Sequence, residues 1–122
     1  MLFRIRNEQV EVLSRRLEDR FVDRTAVHLR ANFPREVEKH EFDDEGLKAL
    51  CRRGLVDARR YGVLNEADVE RYIECMLLLG PGFDADPLYP WAGQALARAD
   101  LDGEAKMDVI DDHLIFDLRV GC

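Results

Sequence analysis

Side chains able to do chemistry gather in a few short stretches of this chain. In "GPGFDADPLYPW", residues 80–91, Asp84 and Asp86 stand two apart. A carboxylate pair can separate its two pKa values for acid–base work, or hold a divalent cation. Two Asp at that spacing supply only two carboxylate ligands, however, and the loop offers no further ligand. Asp before Pro, as in Asp86-Pro87, is ordinary turn chemistry, so a structural role is favoured over catalysis. "EKHE" at 38–41 and "DDH" at 111–113 set His beside carboxylates. Metal sites on helices prefer His at i, i+4 or Glu-x-x-His. Neither spacing is found, and both stretches read as solvated charge. His28 extends an apolar stripe and lies near Arg24; it reads as a hydrogen-bonded residue at a bundle edge rather than a catalytic one.

The three Cys (Cys51, Cys75, Cys122) have neither metal spacing nor a recognisable nucleophile motif. Cys51 and Cys75 fall on or near apolar faces, where a thiol behaves as a small hydrophobe. Gly80 and Gly82 flank a Pro and follow no strand, so they form no phosphate-binding loop. No catalytic, cofactor-binding or metal residue is assigned, no cofactor is expected, and the chain is read as non-enzymatic.

One surface pattern remains. Arg52, Arg53, Arg59 and Arg60 repeat at a spacing of seven and lie opposite the apolar face of their helix. In an acidic chain this is a local positive stripe, able to meet an acidic partner; the alternative is a solvated face paired to neighbouring Glu and Asp. Trp91, at the end of the Pro-rich loop, is the second candidate for partner binding.

The elements that must position these residues are helical. Asn7 can cap a first helix, where Val10, Leu13, Leu17 and Phe21 form one face. The stripe then drifts through Val22, Ala26, Leu29 and Phe33 until Pro34 stops the helix. "REVEKHEF" reads as a connector with one helical turn. Asp43 caps a second helix, with Phe42 and Leu47 in staple positions. Its inner face holds Leu47, Leu50, Cys51, Gly54, Leu55, Ala58 and Tyr61. A Gly within a helix costs about 1 kcal/mol against Ala, so Gly54 predicts a helix passing closely over it. Asn65 caps a third helix whose last turn, "CMLLL", is apolar almost all round and therefore central. Pro90 opens a fourth, "PWAGQALARA". Asp102 caps a fifth, from about residue 104 to 117, and "LRVGC" reads as a tail. No segment alternates with period two long enough for a confident strand. The expectation is one all-helical domain over residues 1–122, a bundle of four to five helices.

Composition agrees. The 122 residues are 47% hydrophobic and 35% charged, enough for a packed core without disulfides or metals. A net charge of −7 argues against nucleic-acid and anionic-membrane partners and is compatible with a basic protein. Arg outnumbers Lys, which suits interfaces. The opening "MLFRIRNEQV" lacks the apolar stretch of a signal peptide, no run is long enough to span a bilayer, and the odd cysteine count suits reduced thiols, so a cytoplasmic location is expected.

The segments "RYG" at 60–62, "ERYI" at 70–73, "LGPGFD" at 79–84, "DP" at 86–87 and "PWA" at 90–92 occur together here. With "RIRNEQVEVL" near the start and "HLRANFP" at 28–34, they cover most of the chain. In this the chain resembles a group of small, uncharacterised helical bacterial proteins. Their genes tend to lie in type VI secretion clusters, beside spike (VgrG or PAAR) and effector genes and their adaptor chaperones. The resemblance implies a co-chaperone-like accessory role, binding an effector chaperone, an effector or a spike component. It carries over no catalytic residue. It also implies that "GPGFDADPLYPW" is a rigid cap fixing Trp91 against the bundle. The competing reading is an immunity protein that neutralises a toxin, for which acidic charge against a basic nuclease would suit.

Overall fold

Six α-helices and one 3₁₀ turn make up the described part of the chain, and no strand occurs among the described residues. The computed structural model describes the backbone of residues 7–120 and the side chains of residues 15–116. In order these elements are α1 (Asn7–Asn32), α2 (Pro34–Lys39), α3 (Asp44–Arg60), α4 (Glu66–Leu79), the 3₁₀ turn (Phe83–Ala85), α5 (Pro90–Leu96) and α6 (Gly103–Val120). The all-helical architecture is the expected one. The five anticipated helices are present, and the sixth, α2, is the "PREVEK" part of the anticipated connector. Pro34 both ends α1 and opens α2, since a Pro at a first helical position loses no hydrogen bond. The expected "LRVGC" tail is helical as far as Val120. The capping role of Asn7, the burial of Val10 and Leu13, and Cys122 all lie outside the described side chains.

The helices start where capping chemistry dictates. The Asp43 carboxylate accepts from Gly46 N at 2.7 Å, Asn65 Oδ1 from Asp68 N at 2.9 Å, and Asp102 Oδ1 from Ala105 N at 2.8 Å. At the end of α3, Gly62 takes φ +76°. Gly62 N bonds Arg59 O and Val63 N bonds Ala58 O, which is the Schellman closure. That closure turns Val63 fully into the core.

α4 is the central element, as "CMLLL" predicts: it packs against α1, α2, α3, α6 and the 3₁₀ turn. Val69, Tyr72, Ile73, Cys75, Met76 and Leu77 are all buried. α3 crosses it at Gly54, where an added Cβ would lie 2.4 Å from Ile73 Cγ1 and 2.9 Å from Met76 Sδ. The close approach read from that glycine is therefore present, and it lets the α3 and α4 backbones come near enough to seal the core.

α1 and α3 run antiparallel, with Glu18 paired to Arg59 at one end and Arg30 to Asp44 at the other. In that register α3 ends opposite Leu17. Phe21, Val22, Ala26 and Leu29 are buried, whereas Leu17, expected on the inner face, is 58% exposed. Its periodicity is right, but the helix that would cover it stops there.

Candidate functional site

The four arginines of the stripe come together on the outer surface of α3 as expected, each with a side chain a little over half exposed. None stands alone. Arg59 bonds Glu18 at 2.9 Å and Arg52 lies 3.7 Å from Asp19, both across the α1–α3 seam. Arg53 and Arg60 flank Asp57 from either side, at 3.4 and 2.9 Å. Four positive charges thus meet three carboxylates, Glu18, Asp19 and Asp57. Exposed pairs such as Arg52–Asp19 and Arg59–Glu18 contribute at most about 1 kcal/mol each, so a partner's carboxylates can replace Glu18 and Asp19 there at little cost.

Apolar surface lies among these arginines. Val56 stands on α3 between Arg52-Arg53 and Arg59-Arg60 and is 58% exposed. Leu17, Leu55 and Leu64, with Arg59, Glu18 and Glu66, line an open groove of about 180 Å³ where α1, α3 and α4 meet. Leu64 is 73% exposed. The groove was not legible from the sequence, because it exists only where α3 ends opposite Leu17.

Trp91 sits elsewhere, half-buried at the start of α5 and stacked on the His113 imidazole of α6, with ring planes 9° apart and centroids at 5.1 Å. Tyr89 meets it edge-on. The loop before it is pinned in several ways. Phe83 is buried against Tyr72, with centroids at 5.0 Å. The Tyr61 hydroxyl donates to Asp84 Oδ2. Asp86 Oδ1 accepts from Leu88 N at 2.9 Å, closing the turn before Trp91. A Cβ on Gly93 would lie 2.6 Å from Asp84 O, so α5 packs directly on the loop backbone. Both carboxylates of "FDADP" are occupied by structural hydrogen bonds.

The remaining titratable side chains are also placed. Asp111 of "DDH" accepts from Arg71 Nε at 2.9 Å, and the same guanidinium reaches Asp108 and Asp68. Burial opposes the charge on Arg71, but its hydrogen bonds to Asp108, Asp111 and Asp68 outweigh it and hold the guanidinium more firmly protonated. This knot ties α4 to α6. His40 of "EKHE" leans against Phe42. Cys51 and Cys75 are buried, which pushes both thiols up to about 12, far from a reactive thiolate. Burial, followed by the bond to Asp84, pushes Tyr61 up to about 12.

His28 has company that the sequence did not reveal. Its Nε2 lies 2.6 Å from Glu74 Oε2 and 3.0 Å from Glu70 Oε1, both carried by α4. The only local signal is the i, i+4 spacing of the two Glu in "ERYIE"; the His comes from a helix forty residues away in the chain.

No helix among the described residues is long and apolar enough to cross a membrane. Comparison of the chain with protein-family models, with curated proteins and with solved structures found no match.

Proposed function

We propose that this chain is a non-enzymatic interaction protein that assists the loading of a type VI secretion effector. It would do so by binding the effector's chaperone, the effector itself or a spike component. The secretion context rests on the family resemblance of "RYG", "ERYI", "LGPGFD" and "PWA". The binding role rests on one observation: the arginine face of α3 carries exposed apolar surface, with Val56 on the helix between the arginine pairs and Leu17 and Leu64 in a groove lined by Arg59. Isolated exposed hydrophobics are ordinary. Here Leu17 and Leu64 share one groove with Arg59 at its edge, and that combination suits a protein contact, in which Arg and a desolvated apolar centre carry most of the energy.

The test is pairwise co-expression of the chain with each protein encoded beside it, followed by size-exclusion chromatography. A stoichiometric complex with an adaptor chaperone, a spike protein or an effector outside its toxin domain is the expected result. A complex formed only with the toxin domain, and abolishing its toxicity, would replace this reading with immunity. Absence of a complex with any of them would contradict both.

A further inference from the structure

Independently of any partner, His28, Glu70 and Glu74 bring three metal-ligating atoms within 4.8 Å of one another at the seam of α1 and α4. Glu70 and Glu74 are four residues apart on one helix, and like charges at that spacing repel. The neighbouring cations are engaged elsewhere: Arg24 pairs with Glu66, and Arg71 with Asp68, Asp108 and Asp111. Among the described side chains, only an imidazole stands between the two carboxylates. Its ring is held in place from outside the cluster. Asn32 Nδ2 lies 3.1 Å from His28 Nδ1 while also donating to His28 O at 2.9 Å, and Phe33 meets the ring edge-on. Nε2 is thereby aimed at both carboxylates.

We propose that His28 Nε2, Glu70 and Glu74 bind a divalent first-row transition-metal ion, with Zn²⁺ as its reference member. One neutral imidazole and two carboxylates balance a 2+ charge. The imidazole selects Zn²⁺ and its neighbours over Mg²⁺ or Ca²⁺. Three protein ligands leave a tetrahedral ion one open position for water. Ligand atoms at bond lengths near 2.0–2.1 Å in a tetrahedron stand about 3.3 Å apart. The present gaps of 2.6 and 3.0 Å must widen slightly, which side chains about one-quarter to one-third exposed can do by small torsional changes. In the metal-free arrangement Asn32 Nδ2 faces Nδ1 and the carboxylates face Nε2, which fits the tautomer with its proton on Nε2. On binding, the ion takes the Nε2 lone pair and the ring carries its proton on Nδ1 instead. Asn32 then turns its amide to present Oδ1 to that N–H, the outer-shell support that ligating histidines usually have.

The experiment is a thermal melt of the Cys122→Ser protein titrated with Zn²⁺ alone, with Mg²⁺ as contrast. Cobalt substitution, read by visible absorption, reports the coordination geometry. Zinc at a hundredfold excess over its Kd should raise the Tm saturably by about 5 °C or more, and magnesium should not. His28→Gln, and separately Glu70→Gln with Glu74→Gln, should each weaken zinc binding at least tenfold. If one variant does not fold, the other decides. A parent protein whose Tm ignores zinc would overturn the site. So would a zinc affinity unchanged in the folded variants, because the ion would then be binding elsewhere.

Discussion

Lys106 Nζ donates a hydrogen bond of 2.7 Å to the carbonyl oxygen of Tyr61, the residue that closes α3. Lys106 belongs to the first turns of α6, where its own helix dipole disfavours a positive charge. Its position is explained by the other helix. The C-terminal carbonyls of α3 carry the complementary partial charge, and Tyr61 O is one of those that has no partner within its helix. With only 9% of the residue exposed, the ammonium has little water to fall back on. Gly103 makes this approach possible, since a Cβ there would lie 2.8 Å from Gly62 O.

Lys106→Met keeps the aliphatic stem and removes the donor. Hydrogen bonds involving a charged group contribute about 1.5–3 kcal/mol. A loss of roughly that size in a denaturant melt is expected, with the helical circular dichroism retained. A loss below about 0.5 kcal/mol, the scale of ordinary surface changes, would mean that the contact does not contribute.

Gly54→Ala sets two effects against each other. Ala is the better helix former by about 1 kcal/mol. Its methyl, however, would lie 2.4 Å from Ile73 Cγ1, and overpacking a filled core costs about 1–3 kcal/mol. The clash should win, with net destabilisation on urea unfolding. On the other side of the same contact, Met76→Ala should cost about 2–5 kcal/mol, the usual range for emptying a packed site. A Gly54→Ala protein more stable than the parent would mean that the two helices are not in close contact.

High pH should unfold the protein cooperatively. Burial raises Cys51 and Cys75 from 9.0 to about 12, and burial with the Asp84 bond raises Tyr61 from 10.0 to about 12. Below pH 9 these groups are protonated in both folded and unfolded chains, and stability is unaffected by them. Between about 9 and 12 the unfolded chain releases protons that the folded chain retains, so stability falls as pH rises. In a Cys122→Ser background, the two remaining thiols should react with a thiol reagent at pH 8 only when the protein unfolds. Rapid reaction of either thiol in the native protein would contradict their burial.

Much of this architecture is legible locally. Asp43, Asn65 and Asp102 announce the helix starts, because a cap needs only a polar side chain two or three residues before a free N–H. Gly54 announces the α3–α4 crossing, because nothing local accounts for a glycine on an apolar face. What was not legible depends on register between distant helices. The exposure of Leu17 follows from where α3 stops relative to α1. The Arg71 knot, the Lys106–Tyr61 contact and the His28–Glu70–Glu74 group each join residues about forty positions apart. Periodicity says which face a residue occupies, but not which face of which neighbour it meets. The arginine stripe was legible as a pattern. Its carboxylate partners Glu18 and Asp19, and the groove beside Arg59, were not.

A protein that acts through the α3 face should lose its partner when that face loses its charge. The most direct test is the affinity of a co-encoded partner, by isothermal titration, for the parent and for the variant with Arg52, Arg53, Arg59 and Arg60 replaced by Ser. Asp57 is 13% exposed at its side chain and would lose both of its guanidinium partners, so Asp57→Asn is included to avoid a stranded carboxylate. The fold should survive, since the pairs to Glu18 and Asp19 are exposed ones and Asp57→Asn leaves no unpaired charge at the remaining position. The account predicts unchanged helical circular dichroism and a Kd at least tenfold weaker, with the difference larger at low salt, where steering by exposed charge is strongest. A well-folded variant that binds the partner with the parent's affinity would contradict it.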